Sequence, residues 1–142
     1  MYYAPFLALK YLRYYLLASN GKGHGTHSPF IYNFITRVLN DKSQYTEYKK
    51  AEGLRRRLLN DSRMFIIEDF GAGSAVLKRH ERSIKSIARN AAKSKKFGQL
   101  LFRMVKYYQP TTILELGTSL GITTSYLSLA NPVSKIVTME GA

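Results

Sequence analysis

Cysteine is absent from the 142-residue chain. That excludes a disulfide framework, a thiolate zinc site and a cysteine nucleophile. Three histidines without cysteine offer too few of the usual ligands for a structural zinc site. Acids are scarce: 9 Asp and Glu stand against 22 Lys and Arg, a formal net charge of +13. No apolar run reaches the roughly 18 residues needed to cross a bilayer. What is present is core material. Hydrophobic residues make up 45% and aromatics 13%, which excludes a wholly disordered tail and fits one domain by length.

The N-terminus, MYYAPFLALKYLRYYLLAS, is the place where a targeting segment could hide. Lys10 and Arg13 interrupt its apolar stretch and no convincing cleavage site follows, so it does not read as a signal peptide. It reads as an aromatic-rich helix after Pro5. Two roles stay open: packing on the rest of the protein, or lying on a membrane surface, where Tyr, Leu and two cations suit an interface. A cytoplasmic protein, peripheral to a membrane in the second case, is the expectation.

Asn20 to Pro29, NGKGHGTHSP, is a Gly-rich loop. Ser28 then Pro29 opens a helix, Ser as N-cap and Pro at the first position. That helix should run to about Leu39 and bury Phe30, Phe34, Ile35 and Val38. A third helix covers Tyr45 to Leu59, with Leu54, Leu58 and Leu59 inward and Lys49, Lys50, Arg55, Arg56 and Arg57 mostly outward. Arg63 to Asp69 has a strand's short apolar run, and Gly71 to Ser74 is a turn. Helices over about Ser83–Ala92 and Lys96–Tyr108 follow. In the second, Phe97, Leu100, Leu101, Met104, Val105 and Tyr108 form an apolar stripe, and Gln109-Pro110 ends it.

Thr111 to Leu116 (TTILEL) then reads as a buried strand, Gly117 to Gly121 as a tight turn, and Ile122 to Ala130 as a short helix stopped at Asn131-Pro132. Ser134 to Met139 is a second strand, and Glu140 follows it. Strand, glycine turn, helix, strand, acid is how a doubly wound α/β domain begins. The fold expected is therefore α/β: a mainly helical region over residues 1–109, with a short strand near 63–69, and the first β-α-β unit of a Rossmann-like domain over 110–142.

The chemistry sits in that unit. Gly117 lets the backbone turn with no Cβ in the way, and Gly121 lets helix and ligand approach closely. Amides opening the helix are unpaired and partly positive, so they suit a carboxylate or phosphate. Glu140, 23 residues after Gly117, can accept hydrogen bonds from both hydroxyls of a ribose. Together they suit an adenosine-type cofactor. The loop E-x-G-x-x-x-G lacks the central glycine of a dinucleotide fingerprint, and no segment supplies a Walker A loop.

The span ILELGTSLGITTSYLSLA followed by KIVTMEG resembles class I S-adenosylmethionine-dependent methyltransferases, the catechol-type O-methyltransferase branch in particular. The resemblance covers about Thr111 to Ala142. It implies S-adenosylmethionine as cofactor and Glu115, Gly117, Thr118, Ser119, Gly121, Thr123 and Glu140 as its binding set. Gly117 and Ser119 would line the methionine part. Thr123 would bond near its carboxylate, Glu140 would hold the ribose, and Glu115 would anchor the loop and approach the amino group. The whole chain also resembles the N-terminal part of uncharacterised bacterial methyltransferase-like proteins, through GHGTHSPF (Gly23 to Phe30) and DFGAGS (Asp69 to Ser74). A longer parent protein is expected, its catalytic groups and methyl acceptor not readable here and this piece inactive alone.

Other features have a plainer reading beside a functional one. Asp69 to Ser74 reads as a structural turn, because no strand ending in an acid follows about 20 residues on. His24 and His27 are either solvated loop residues or part of a loop over the pocket, where an imidazole could serve as a base. Lys78 to Lys106 carries ten Lys and Arg against Glu81 alone. That stripe is a solvated helix face, a contact for nucleic-acid phosphates, or one for an anionic membrane. A basic nucleic-acid-binding module with a merely structural glycine turn is thus the alternative function, and a helical interaction or membrane-associated domain a third. Exposed strand edges at Thr112–Leu116 and Lys135–Met139 would favour homo-oligomers.

Overall fold

The computed structural model describes residues 4–17, 25–66 and 81–141. The expectations for Asp69 to Ser74, His24, Lys78 and Arg79 fall outside those residues. The protein is mixed α/β, with six α-helices and two small two-stranded sheets among the described residues. It divides into two compact units, Met1–Lys42 and Ser43–Ala142.

In the first unit, α1 spans Ala4–Leu17. Phe6, Leu9, Tyr11, Tyr14, Tyr15 and Leu17 are all exposed. Apart from Lys10 and Arg13, three residues apart, the helix is apolar around most of its surface. Lys10 covers the Phe6 ring one turn away, 4.7 Å from its centroid. Helix α2, Pro29–Asn33, starts as its sequence requires: Ser28 Oγ accepts from the Ile31 amide and Pro29 takes the first turn. It runs on as a π-helical segment, Phe34–Leu39, in which the Asn40 amide reaches Ile35 O at 3.0 Å. The wider winding rotates the apolar set. Val38 is buried, Phe34 and Ile35 are half-buried, and Phe30 is 60% exposed rather than buried.

The second unit holds the core. Helix α3 (Tyr48–Leu59) contributes Tyr48 and Ala51, while Leu58 and Leu59 pack at its margin. Strands β1 (Met64–Ile66) and β2 (Glu81–Ser83) pair antiparallel; the charged β2 segment had no strand signature. Ser83 then caps α4 (Ile84–Ala91), its Oγ accepting from the Ser86 amide at 3.2 Å. Helix α5 (Lys95–Tyr108) ends at Gln109, which adopts a left-handed cap with φ 47°.

The buried face of α5 differs from the stripe expected. Gly98, Phe102 and Val105 point inward, a spacing of four then three, and Phe97 is 58% exposed. The cause is the partner. Helix α6 (Ile122–Ala130) lays the Tyr126 ring against Gly98, where a side chain of any size would collide. Phe102 then fills the space among Tyr45 and Tyr48, with ring centroids 5.1 and 4.9 Å away.

Strands β3 (Thr112–Leu116) and β4 (Lys135–Met139) pair in parallel around α6, with Thr112 opposite Lys135 and Glu115 opposite Thr138. Crossing through a helix is what parallel pairing demands. The return turn is pinned to the start of β3: Asn131 Nδ2 and Ser134 Oγ both donate to Pro110 O, at 3.3 and 2.5 Å. One sheet face, with Ile113 and Ile136, packs on the core; Leu114, Leu116, Val137 and Met139 on the other are exposed. No helix among the described residues is long and apolar enough to cross a membrane.

Candidate functional site

The turn between β3 and α6 bends where its sequence permits. Gly117 and Gly121 adopt φ of 88° and 70°, a region that costs most residues about 1 kcal/mol or more and glycine almost nothing. Ser119 adopts it too, at 48°. A Cβ on Gly117 would meet nothing within 4 Å, so the turn opens onto free space at that point.

Two networks fix the turn. The amides of Gly117 and Thr118 both donate to Met139 O, at 2.8 and 3.3 Å, lashing it to the end of β4. Below it lies Glu115, buried at 8% exposure. Its Oε2 accepts from Thr124 Oγ of α6 at 2.5 Å and from Thr138 Oγ of β4 at 3.0 Å. Because the Thr138 hydrogen goes to the carboxylate, the Thr118 hydroxyl is the donor in its own bond to Thr138 Oγ. Glu115 therefore ties strand, turn and helix together, as an anchor should. Its other oxygen, Oε1, is buried with no hydrogen-bond partner, and such a lone acceptor is costly unless something supplies a donor.

Glu140 is brought to the turn. Its Oε2 accepts the Ser119 amide, and its Oε1 accepts the Gly141 amide at 3.1 Å. At the opening of α6, Ser125 N–H reaches Gly121 O at 2.9 Å, whereas the amides of Ile122 and Thr123 are the orphan donors that a helix start leaves. Gly117, Thr118, Ser119 and Thr123 line one cleft together with Ala88, Ala91 and Ala92 of α4. That cleft holds only about 30 Å³, room for a single water.

All seven sequence-derived residues thus belong to the end of β3, the turn, the opening of α6 and the residue just after β4. Three contributors were missed. Thr138 was findable, because in a parallel pair it sits opposite Glu115 on the same face. Thr124 shares the helix's first turn with Thr123. The α4 alanines are three and four apart, the spacing of one helix face, but nothing in their chemistry marks a site. His27, in the first unit, is exposed. Set against protein-family models, curated proteins and solved structures, the chain matches none.

Proposed function

We propose that residues 112–141 are the cofactor-binding β-α-β unit of a Rossmann-like, S-adenosylmethionine-dependent methyltransferase. The observation that carries the reading is the Glu140 carboxylate held against the Ser119 amide across 21 residues of chain. An acid ending the second strand meets the glycine turn after the first, where an adenosine-type ligand needs both.

The residues present fit such a ligand. Glu115 Oε1 is an unused buried acceptor beside the turn, matched to an ammonium group. The Ile122 and Thr123 amides can receive a carboxylate, favoured by the positive end of α6. Glu140 can exchange the Ser119 amide for ribose hydroxyls, one acceptor role for another. Gly117 leaves free space where the ligand must lie closest to backbone. When bound, S-adenosylmethionine supplies a sulfonium-activated methyl group. The chain's own part is to hold and orient it and to keep water away. The acceptor is a nucleophile whose identity these residues do not specify.

Calorimetry with S-adenosylhomocysteine tests the reading. Binding should weaken about 10- to 100-fold in Glu140→Ala, the worth of hydrogen bonds to a charged group, and by at least as much in Gly117→Val. No binding at millimolar ligand, or binding indifferent to both substitutions, overturns it.

A further inference from the structure

A second site lies on the other side of α4. An open groove of about 550 Å³ runs between α3 and α4, with Arg55, Lys85 and Arg89 among its lining residues. Asn60 at the end of α3 also lines an adjoining cleft of about 720 Å³ that holds Arg56 and Arg57. The two clefts meet at Asn60 and are taken together as a trough, lined by five cations.

The lining has one acid, Asp61, and it is engaged: Arg63 donates to both its oxygens, at 2.7 to 3.1 Å, and these bonds hold its carboxyl below the usual range. Arg55 is steadied from behind by Glu52 at 3.4 Å. Arg56, Arg57, Lys85 and Arg89 have no carboxylate partner among the described residues. Unneutralised cations crowded along a concave surface repel one another, and an extended polyanion relieves that repulsion.

We propose that this trough binds the phosphodiester backbone of a nucleic-acid strand. A flat anionic bilayer is the poorer fit. The cations line a concavity rather than a convex face, and among the described residues Leu59 is the only large apolar side chain lining either cleft, where an interfacial site needs several to insert. The basic character lies in α3 and α4 jointly. Of the Lys78 to Lys106 run, Lys85 and Arg89 line the trough, while Lys106 lies over the Tyr45 ring, 5.3 Å from its centroid. The site reads phosphate and not sequence, because no aromatic side chain among the described residues lines either cleft.

The inference does not depend on the cofactor reading, and its readout needs no cofactor. Fluorescence anisotropy with labelled 20-nucleotide RNA and DNA single strands, titrated with the full chain, is the test. Binding of either strand should weaken steeply with salt. Four neutralised phosphates give a slope of log K on log salt of about −3, and the tighter-binding arm identifies the sugar. The exposed pair Lys85→Glu with Arg89→Glu should lose at least tenfold in affinity, Arg56→Gln with Arg57→Gln a smaller factor, and Lys135→Glu, outside the trough, less than twofold. Unchanged circular dichroism confirms that the variants fold. Salt-independent binding, equal losses at Lys135, or preference for anionic phosphatidylserine vesicles over both strands overturns the proposal.

Discussion

The Tyr126 ring rests on the bare α-carbon of Gly98: a Cβ there would stand 2.5 Å from Tyr126 Cε2 and 2.8 Å from Cδ2. Tyr126 cannot retreat, because its ring is fully buried and its hydroxyl donates to Glu52 Oε1. Gly98→Ala should therefore destabilise the protein, although alanine is the better helix former by about 1 kcal/mol. Overpacking costs about 1–3 kcal/mol, leaving a net loss of up to about 2 kcal/mol, which chemical denaturation measures. Gly53→Ala on α3, where a Cβ meets nothing within 4 Å, should instead gain up to about 1 kcal/mol.

The same tyrosine should govern behaviour in alkali. Burial first, and Glu52 second, raise its pKa well above the ordinary 10. The neutral phenol is thus the form that the fold favours. Its stabilising contribution is whole below about pH 10 and drains away as pH climbs towards the folded-state value. Melting temperature should fall more steeply above pH 10 in the native protein than in Tyr126→Phe. That variant should start about 1–2 kcal/mol less stable at neutral pH, having lost a hydrogen bond to a charged acceptor. Equal slopes in the two proteins would dismiss the effect.

Two left-handed residues that are not glycine invite a paired comparison. Gln109 takes φ 47° to end α5, and Ser119 takes φ 48° in the turn. Replacing either with glycine should relieve about 1 kcal/mol of backbone strain. Gln109 also donates from Nε2 to Lys106 O at 2.7 Å, so its net gain should be the smaller. Thermal unfolding ranks the two. If the cofactor reading holds, S-adenosylhomocysteine affinity should be indifferent to Gln109→Gly and should fall with Ser119→Gly, which loosens the amide facing Glu140.

The outward face of the β3–β4 sheet predicts association. Leu116 is 74% exposed and stands beside Met139, with Leu114 beside Val137. An apolar face and open strand edges are sticky in water. Sedimentation should show mass rising with protein concentration, and Leu116→Lys with Val137→Lys should suppress it. A monomer at all concentrations would be the contrary result.

Much of this was legible in the sequence where signals are local. Ser28-Pro29, Gln109-Pro110, Gly117 and Gly121 act on their own backbone, so the elements they bound came out within a few residues. The β3-turn-α6-β4 unit was legible for the same reason, and so was the distance from Gly117 to Glu140. Facing was not legible. Phe97 looked like core and Phe102 was overlooked, because the deciding partner, Tyr126, lies 24 residues beyond Phe102 and needs a glycine rather than an apolar residue at 98. Arg55 was read as outward, yet its side chain is 13% exposed beside Glu52. Strand β2 exists because β1 offers it an edge, and no pattern within Glu-Arg-Ser announces that.

Helix α4 separates two compartments with very little material. Ala88 and Ala92 line both the cleft at the glycine turn and the groove bordered by Arg55 and Arg89, so the two compartments share a wall of small side chains. A partition that thin transmits pressure in both directions. An occupant that displaced it from one side would alter affinity on the far side, and the reverse effect would then be equal in size.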